Sequence, residues 1–416
     1  MRRGRILRSG SGARWVGLVL LAAGPAAAQE ATGEDEEAAL AADLARIQAA
    51  EAARGADAPA APAPGPDGAA SSARGLSNLL NPAISAHGLV VVGGTTRRPR
   101  DAEPARGELR SGVWIQEVEL VASAVVDPYF RADVTLAGDA EEIGFEEAFL
   151  TTLEIPRLTI RAGKFHAAFG RHNLLHTHAY PFVTAPQPWR ALLGEEGLVD
   201  AGLSADLLLP LPFFAELNAQ VFRGEWAPFE GSVPDDPMTP RDESIPDRRR
   251  DEDLAYLGHA KALFDLSDSS TLELGGSFLG GRNGFGRASL VAGGDLTFKW
   301  RPVEAERYRG FDWTTEVLWV KKGGDPDGRP VGGGTSTLRA QFAQRWWIQA
   351  RGSVLGVPRG DGPRTLRGEV LGAFVPSELS ALRLQIAAEK TTNERFVFEA
   401  FVQAVFSIGP HPSHGY

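Results

Sequence analysis

From about residue 79 onward, apolar and polar residues alternate one for one in segments of roughly ten, split by clusters of Gly, Pro, Asp and Ser. In Phe130–Leu136, Arg131, Asp133 and Thr135 share one face, and Phe130, Ala132, Val134 and Leu136 share the other. Thr271–Leu274, Ala381–Ile386 and Phe396–Gln403 repeat the pattern. A period of two belongs to the β-strand, whose side chains point alternately to opposite faces. The pattern predicts strands at 84–93, 113–126, 129–138, 144–155, 158–168, 198–209, 212–223, 253–265, 270–281, 289–301, 310–321, 335–343, 345–355, 364–375, 380–390 and 394–408. That is about 16, an even number, as a single-chain barrel crossing a bacterial outer membrane requires.

The connections carry the same message. Those at 127–128, 156–157, 210–211, 266–269, 344 and 376–379 are short. Between them fall longer ones at 94–112, 139–143, 169–197, 224–252, 282–288, 322–334 and 356–363. Only 302–309 and 391–393 sit off this beat. Outer-membrane barrels have short periplasmic turns alternating with longer external loops, whereas a soluble sandwich has no reason to keep that rhythm. The predicted fold class is therefore all-β: a transmembrane antiparallel β-barrel of about 16 strands over 79–416. Trp300, Trp313, Trp319 and Trp346 fall near strand ends, where an interfacial girdle belongs.

The residues before the barrel divide into three pieces. Residues 1–28 read as a secretory signal peptide. Five Arg lead, Trp15–Ala23 is a short apolar run, and Ala26-Ala27-Ala28 forms an A-x-A cleavage site. Residues 29–54, rich in Ala and Glu, predict a short periplasmic helix. Leu40, Leu44 and Ile47 allow two readings of it, a brief coiled-coil seam or a solvated helix. Residues 55–78 read as a Pro/Ala-rich linker.

Composition narrows the function classes. The chain has no Cys, which excludes disulfides, thiolate metal sites and a cysteine nucleophile. Its formal charge is -10, and loss of the five leader Arg leaves 38 basic residues against 53 acidic ones. That balance argues against a nucleic-acid partner. The chain carries no P-loop and no H-E-x-x-H, and Gly280–Gly286 is Gly-rich with no helix after it. The expectation is not an enzyme. At roughly 21 residues per strand and connection, the chain is too short for a 22-stranded barrel with a plug.

The polar face is the expected lumen. Its pore-lining candidates are Glu117, Glu119, Arg131, Asp133, Lys261, Lys299, Arg301, Arg339, Arg367 and Arg383. Glu273, Glu316, Arg351, Glu369, Glu389 and Glu399 share that face. Such charges either bias which ions enter or pair to stabilise the interior. The connection 169–197 is too long for an idle turn. Either it folds into the lumen, with Arg171, Arg190, Glu195 and Glu196 as constriction candidates, or it lies on the surface. His166, His172, His176 and His178 are half of the eight His in the chain. They form a candidate zinc site or pack as polar loop residues, and no acid lies among them in sequence.

Asn81-Pro82-Ala83-Ile84-Ser85, Gly163-Lys164-Phe165 with Phe169-Gly170, and Gly194–Gly202 (GEEGLVDAG) resemble Gram-negative outer-membrane porins of the phosphate-selective porin O/P type. The subgroup is sometimes labelled zinc-regulated outer-membrane receptor. The resemblance implies a trimer of water-filled barrels with a constricting loop. Taken together, the expectation is an outer-membrane porin for passive diffusion of small hydrophilic or ionic solutes. Its partners are outer-membrane lipid and its own copies, with no required cofactor. The alternatives are a zinc-linked binding or uptake protein using the His-rich loop, and a barrel enzyme or envelope anchor.

Overall fold

The computed structural model describes residues 82–97, 111–229, 250, 252–302, 308–324, 329–358 and 362–409. The signal peptide, the helix at 29–54 and the linker lie outside the described residues. Sixteen strands run in chain order: β1 (Ala83–Thr95), β2 (Gly112–Val125), β3 (Phe130–Gly138), β4 (Ile143–Thr152), β5 (Leu158–His166), β6 (Val199–Leu208), β7 (Phe214–Phe222) and β8 (Ala255–Ser267). The second half is β9 (Ser270–Arg282), β10 (Ala288–Trp300), β11 (Gly310–Lys322), β12 (Val331–Ala343), β13 (Trp346–Val357), β14 (Thr365–Ser377), β15 (Ser380–Thr391) and β16 (Val397–Ile408). Each pairs antiparallel with its neighbours in sequence, and β1 pairs with β16 from Ala86↔Ile408 to Thr95↔Glu399, closing the barrel. Closure gives every strand a partner on both sides and leaves no free sheet edge, the condition for a β-structure to cross lipid, although β4 and β5 pair only from Ala148↔Lys164 to Thr151↔Arg161.

The alternation sets the two faces. On β15, Leu382, Leu384 and Ile386 point outward and are half exposed, while Gln385, Ala387 and Glu389 face inward and are buried. On β14, Leu366 and Val370 are exposed and Thr365, Arg367, Glu369 and Leu371 are buried. An apolar outside around a polar inside is a lipid-facing wall around a polar lumen. Trp300, Trp313, Trp319 and Trp346 are 38–49% exposed on the outer side, as the girdle reading expects.

Strand ends shift from the sequence reading by up to four residues, β4 ending at Thr152 and β16 beginning at Val397 among them, and two of the differences have a clear physical reason. β12 begins at Val331, not at 335, and takes in Gly332, Gly333 and Gly334. Gly is a weak strand former, but here it permits close approach. A Cβ at Gly333 would lie 2.7 Å from Pro188 Cβ, so the Gly lets an inserted segment seat against the wall. The connection at 139–143 is not a long loop. It is a tight turn in which Asp139 Oδ1 accepts from the N–H groups of Glu141 and Glu142 at 2.9 and 3.0 Å. This is a local side-chain bond of the kind that favours Asp in turns.

Candidate functional site

The segment between β5 and β6, residues 167–198, folds inward rather than over the surface. It holds two 3-10 turns (His172–Leu174 and Thr177–Ala179) and helix α1 (Gln187–Leu193). Pro186 and Pro188 start that helix and Gly194 ends it, an arrangement the chemistry of Pro and Gly favours. Its apolar residues bury against the wall on opposite sides of the lumen. Phe169, Trp189 and Leu193 join a cluster with Phe222, Leu279, Val291 and Leu318. Phe182 and Val183 join another with Val91, Leu371 and Phe401.

Polar contacts fix it all round. Gly170 N donates to Ser277 Oγ at 2.9 Å on β9, and Arg171 N donates to Glu316 Oε1 at 2.7 Å on β11. On the other side, Val183 N donates to Gln385 Oε1 at 2.8 Å, and Arg351 Nη2 donates to Thr184 O at 2.9 Å. Arg383 Nη1 donates to Tyr180 O at 2.8 Å. The neck is closed by Asn173, which is buried. Its Nδ2 donates to Ala167 O and Leu198 O, and its Oδ1 accepts from Leu198 N, all at 2.8–3.0 Å. Asn173→Ala is expected to leave three backbone groups without this partner and to cost about 1–3 kcal/mol. Equilibrium urea titration in lipid vesicles measures it, and a change below about 0.5 kcal/mol would mean that water takes over the bonds.

The four constriction candidates divide. Arg171 is held to the wall by Glu273, Nη1 to Oε1 at 2.9 Å. Arg190, Glu195 and Glu196 instead line a cavity of about 460 Å³ between the loop and β2, β4 and β5. Arg190 Nη1 lies 4.0 Å from Glu195 Oε1. Six acids line this cavity (Glu117, Asp139, Glu142, Glu146, Glu195 and Glu196), against Lys164 and Arg190.

Nine of the ten pore-lining candidates fall on the inward face of strands, Arg301 follows the end of β10, and most meet an opposite charge. Arg131 pairs with Asp133 at 2.7 Å, and Lys261 lies 3.6 Å from Glu216. Asp312 is cross-strand from Lys299 and Arg339 and lies 2.8 Å from Arg301 Nη2. Arg367 meets Glu399 at 2.6 Å and Glu389 at 3.2 Å. Arg383 reaches the loop, while Glu117 and Glu119 face the His-rich turn.

Three of the four sequence-predicted His come together with acids that the sequence did not place beside them. His176 Nδ1 lies 3.1 Å from Glu146 Oε2 and 3.6 Å from Glu119 Oε1, and its Nε2 lies 3.1 Å from Glu147 Oε2. His166 Nε2 lies 3.2 Å from Glu146 Oε1. His178 Nδ1 lies 2.6 Å from Glu119 Oε2, and its ring stacks on His87 at 4.1 Å. Burial alone would lower the pKa of His176. The hydrogen bonds to Glu146 and Glu147 and the charges of Glu146 and Glu119 outweigh burial and hold it well above the usual imidazole range. His172 stands apart. It packs against Tyr180 and Trp189, and burial, with the Arg351 charge, pushes it down to about 3.

The residues missed from sequence are His87, Glu146 and Glu147. Strict alternation would turn one of two adjacent Glu outward. A β-bulge intervenes: Thr135 pairs with Glu147 and Leu136 with Phe145, so Glu146 is the extra residue and both acids face in. A second bulge does the same on β2, where Leu89 pairs with Glu117 and Val90 with Ile115, leaving Gln116 as the extra residue. Both Gln116 and Glu117 are sheltered, and Gln116 Nε2 donates to Val183 O at 2.8 Å.

No family model matches the chain. An uncharacterized protein of Aquifex aeolicus is 28% identical over 344 residues, covering 74% of this chain and 71% of that protein. Among solved structures, the anion-selective porin from Comamonas acidovorans has a TM-score of 0.53 at 12% identity, covering 79% of this chain and all (100%) of that one. The high-pH structure of Pseudomonas putida OprB has a TM-score of 0.50 at 8% identity, covering 82% of this chain and 97% of that one. A loop-deletion mutant of OmpT, an outer membrane protein of Vibrio cholerae, has a TM-score of 0.50 at 7% identity, covering 79% and 99%. At these identities the likeness is one of fold, and the chain shares the closed antiparallel barrel of these outer-membrane proteins, porins among them.

Proposed function

We propose that the protein is a porin of a Gram-negative outer membrane, passing small hydrophilic or ionic solutes passively through a lumen narrowed by residues 167–198. The observation that carries this reading is that inserted loop, pinned across a charged lumen inside a sixteen-stranded wall. A barrel of about 16 strands is wide enough to hold an aqueous channel, and a loop folded into it sets the narrowest passage. No reaction is part of this reading. The barrel supplies a route, and the solute gradient supplies the drive.

The acids around the cavity support a preference for cations rather than phosphate, because a ring of one sign concentrates the opposite ion. The Comamonas protein is anion-selective by its description, so shared fold does not set the sign. The homotrimer implied by the sequence resemblance belongs to the same proposal and is read by cross-linking the detergent-purified protein. Planar-bilayer recording tests the whole. Stepwise, ohmic openings are expected, with a cation-selective reversal potential that moves toward zero in Glu195→Gln/Glu196→Gln. A purified, folded barrel that stays closed overturns the porin reading, and an anion-selective reversal potential overturns the cation preference.

A further inference from the structure

Where the loop meets β4 and β5, two imidazoles and three carboxylates converge in a way that solute passage does not require. We propose that a divalent transition metal ion of the Zn2+ class binds between Glu146, His166 and His176 and fastens the loop to the barrel wall beside the cavity. This inference does not depend on the porin reading.

The donor set suits the ion. Each of the three residues offers a ligand atom, and these atoms lie within 4.8 Å of one another. Glu146 spans the two rings, with Oε1 3.2 Å from His166 Nε2 and Oε2 3.1 Å from His176 Nδ1. Tetrahedral zinc with bonds of about 2.0–2.1 Å sets neighbouring ligand atoms roughly 3.4 Å apart. The two rings meet edge to face at 5.1 Å and 67°, an angle that lets both aim a nitrogen at one point. Two His and one carboxylate match the borderline hardness of zinc.

The surroundings are those of a ligand shell. His176 presents Nδ1 to the site while its Nε2 meets Glu147 Oε2 at 3.1 Å, the carboxylate–imidazole pairing that fixes a ligating ring. Glu147 also accepts from His166 N at 2.9 Å, so one side chain braces both ligating residues. One buried atom points to a missing partner. Glu119 is fully buried (0% exposed) and its Oε1, 3.6 Å from His176 Nδ1, has no hydrogen-bond partner. Glu146 and His166 line the cavity, which leaves a side of the site open for an ion to enter and for water to complete its shell. The bulge that turns Glu146 inward beside Glu147 is the backbone feature that assembles the set. The neighbouring group of His87, Glu119 and His178 is less apt. Its imidazoles stack face to face at 7°, and His87 Nδ1 is engaged with Ser407 Oγ at 2.8 Å.

The test is a Zn2+ titration of the detergent-purified full-length protein against a colorimetric chelator, with chelator-stripped protein as the start. One Zn2+ per barrel is expected. Glu146→Gln and His166→Ala should abolish binding, Glu147→Gln should weaken it by about 10–100-fold, and His172→Ala should leave it unchanged. Each variant is checked for folding by its heat-dependent electrophoretic mobility, and Glu146→Gln keeps the side-chain shape. Folded wild type that takes up no Zn2+ overturns the proposal. So does uptake that survives both Glu146→Gln and His166→Ala but is lost in His178→Ala, which would move the ion to the neighbouring group. Bilayer recordings on the same preparations separate the two readings. A barrel that conducts without binding Zn2+ sinks the metal site alone, and one that binds Zn2+ without conducting sinks the porin alone.

Discussion

Glu369→Ala is expected to destabilise the barrel by about 3–5 kcal/mol, because it leaves the buried Arg351 guanidinium without its counter-charge. Glu369 faces inward on β14 between two guanidinium groups. It pairs with Arg351 of the neighbouring β13, and its Oε1 lies 3.1 Å from Arg367 Nε. Side-chain exposures are 0% for Glu369, 1% for Arg351 and 2% for Arg367, so water does not take over easily. Arg367 keeps Glu389 and Glu399, but among the described residues Arg351 would retain only the carbonyl and hydroxyl of Thr184 and the face of Phe182, 4.4 Å from its guanidinium carbon. The loss reaches the loop too. Glu369 Oε1 accepts from Thr184 Oγ1 at 3.2 Å and from Gln385 Nε2 at 3.1 Å, and Gln385 in turn holds Val183 N. Glu369→Gln, which keeps shape and some hydrogen bonds, should fall between wild type and Glu369→Ala. Equilibrium unfolding in lipid vesicles measures all three. A cost under about 1 kcal/mol for Glu369→Ala would show that the network behaves like a solvated surface pair.

The network also marks what sequence could and could not supply. The barrel was legible because a transmembrane strand must alternate, and lipid enforces the rule at every outward position. Leu382, Leu384 and Ile386 could be set apart from Arg383 and Gln385 by counting alone. The inward charges were legible one by one for the same reason. Their pairing was not: Arg351 and Glu369 are partners only through the register of β13 and β14, and alternation within a strand does not determine its register against the next. The His-rich loop was visible as a cluster, yet its acids come from β2 and β4, and one of them faces inward only because of a bulge. A bulge adds one residue to one strand and inverts the parity of the residues beyond it, so the pattern that locates strands is blind to it. The glycine run before residue 335 misled for a related reason. Those positions answer to Pro188 pressing against them from the loop, not to the strand's own preference.

Replacing residues 169–196 with a short Gly-containing turn is expected to raise single-channel conductance at least roughly threefold, since the open section of a barrel this size would then be set by the wall. The design is feasible because the ends of the loop already meet. Ala167 N donates to Leu198 O at 2.8 Å, so the chain can close there without disturbing β5 or β6. The sixteen-strand ladder survives, because none of its pairings runs through the loop. Wall groups that lose loop partners, such as Glu316, Ser277 and Gln385, would face a water-filled lumen rather than a void, and water can serve them. Two effects oppose each other in stability. The deletion gives up the burial of Phe169, Phe182 and Trp189, but it also removes the cost of ordering a long segment. If the loop is the constriction proposed above, conductance has no such compensation, because the obstacle is gone. A narrower intervention shows whether width or charge dominates. Arg190→Ala/Glu195→Ala/Glu196→Ala trims the cavity side of the loop but leaves Phe169 and Phe182 anchored, and should shift ion preference more than conductance. If the loop-less barrel conducts no better than wild type, the passage is limited elsewhere along the wall and the loop is a brace rather than a constriction.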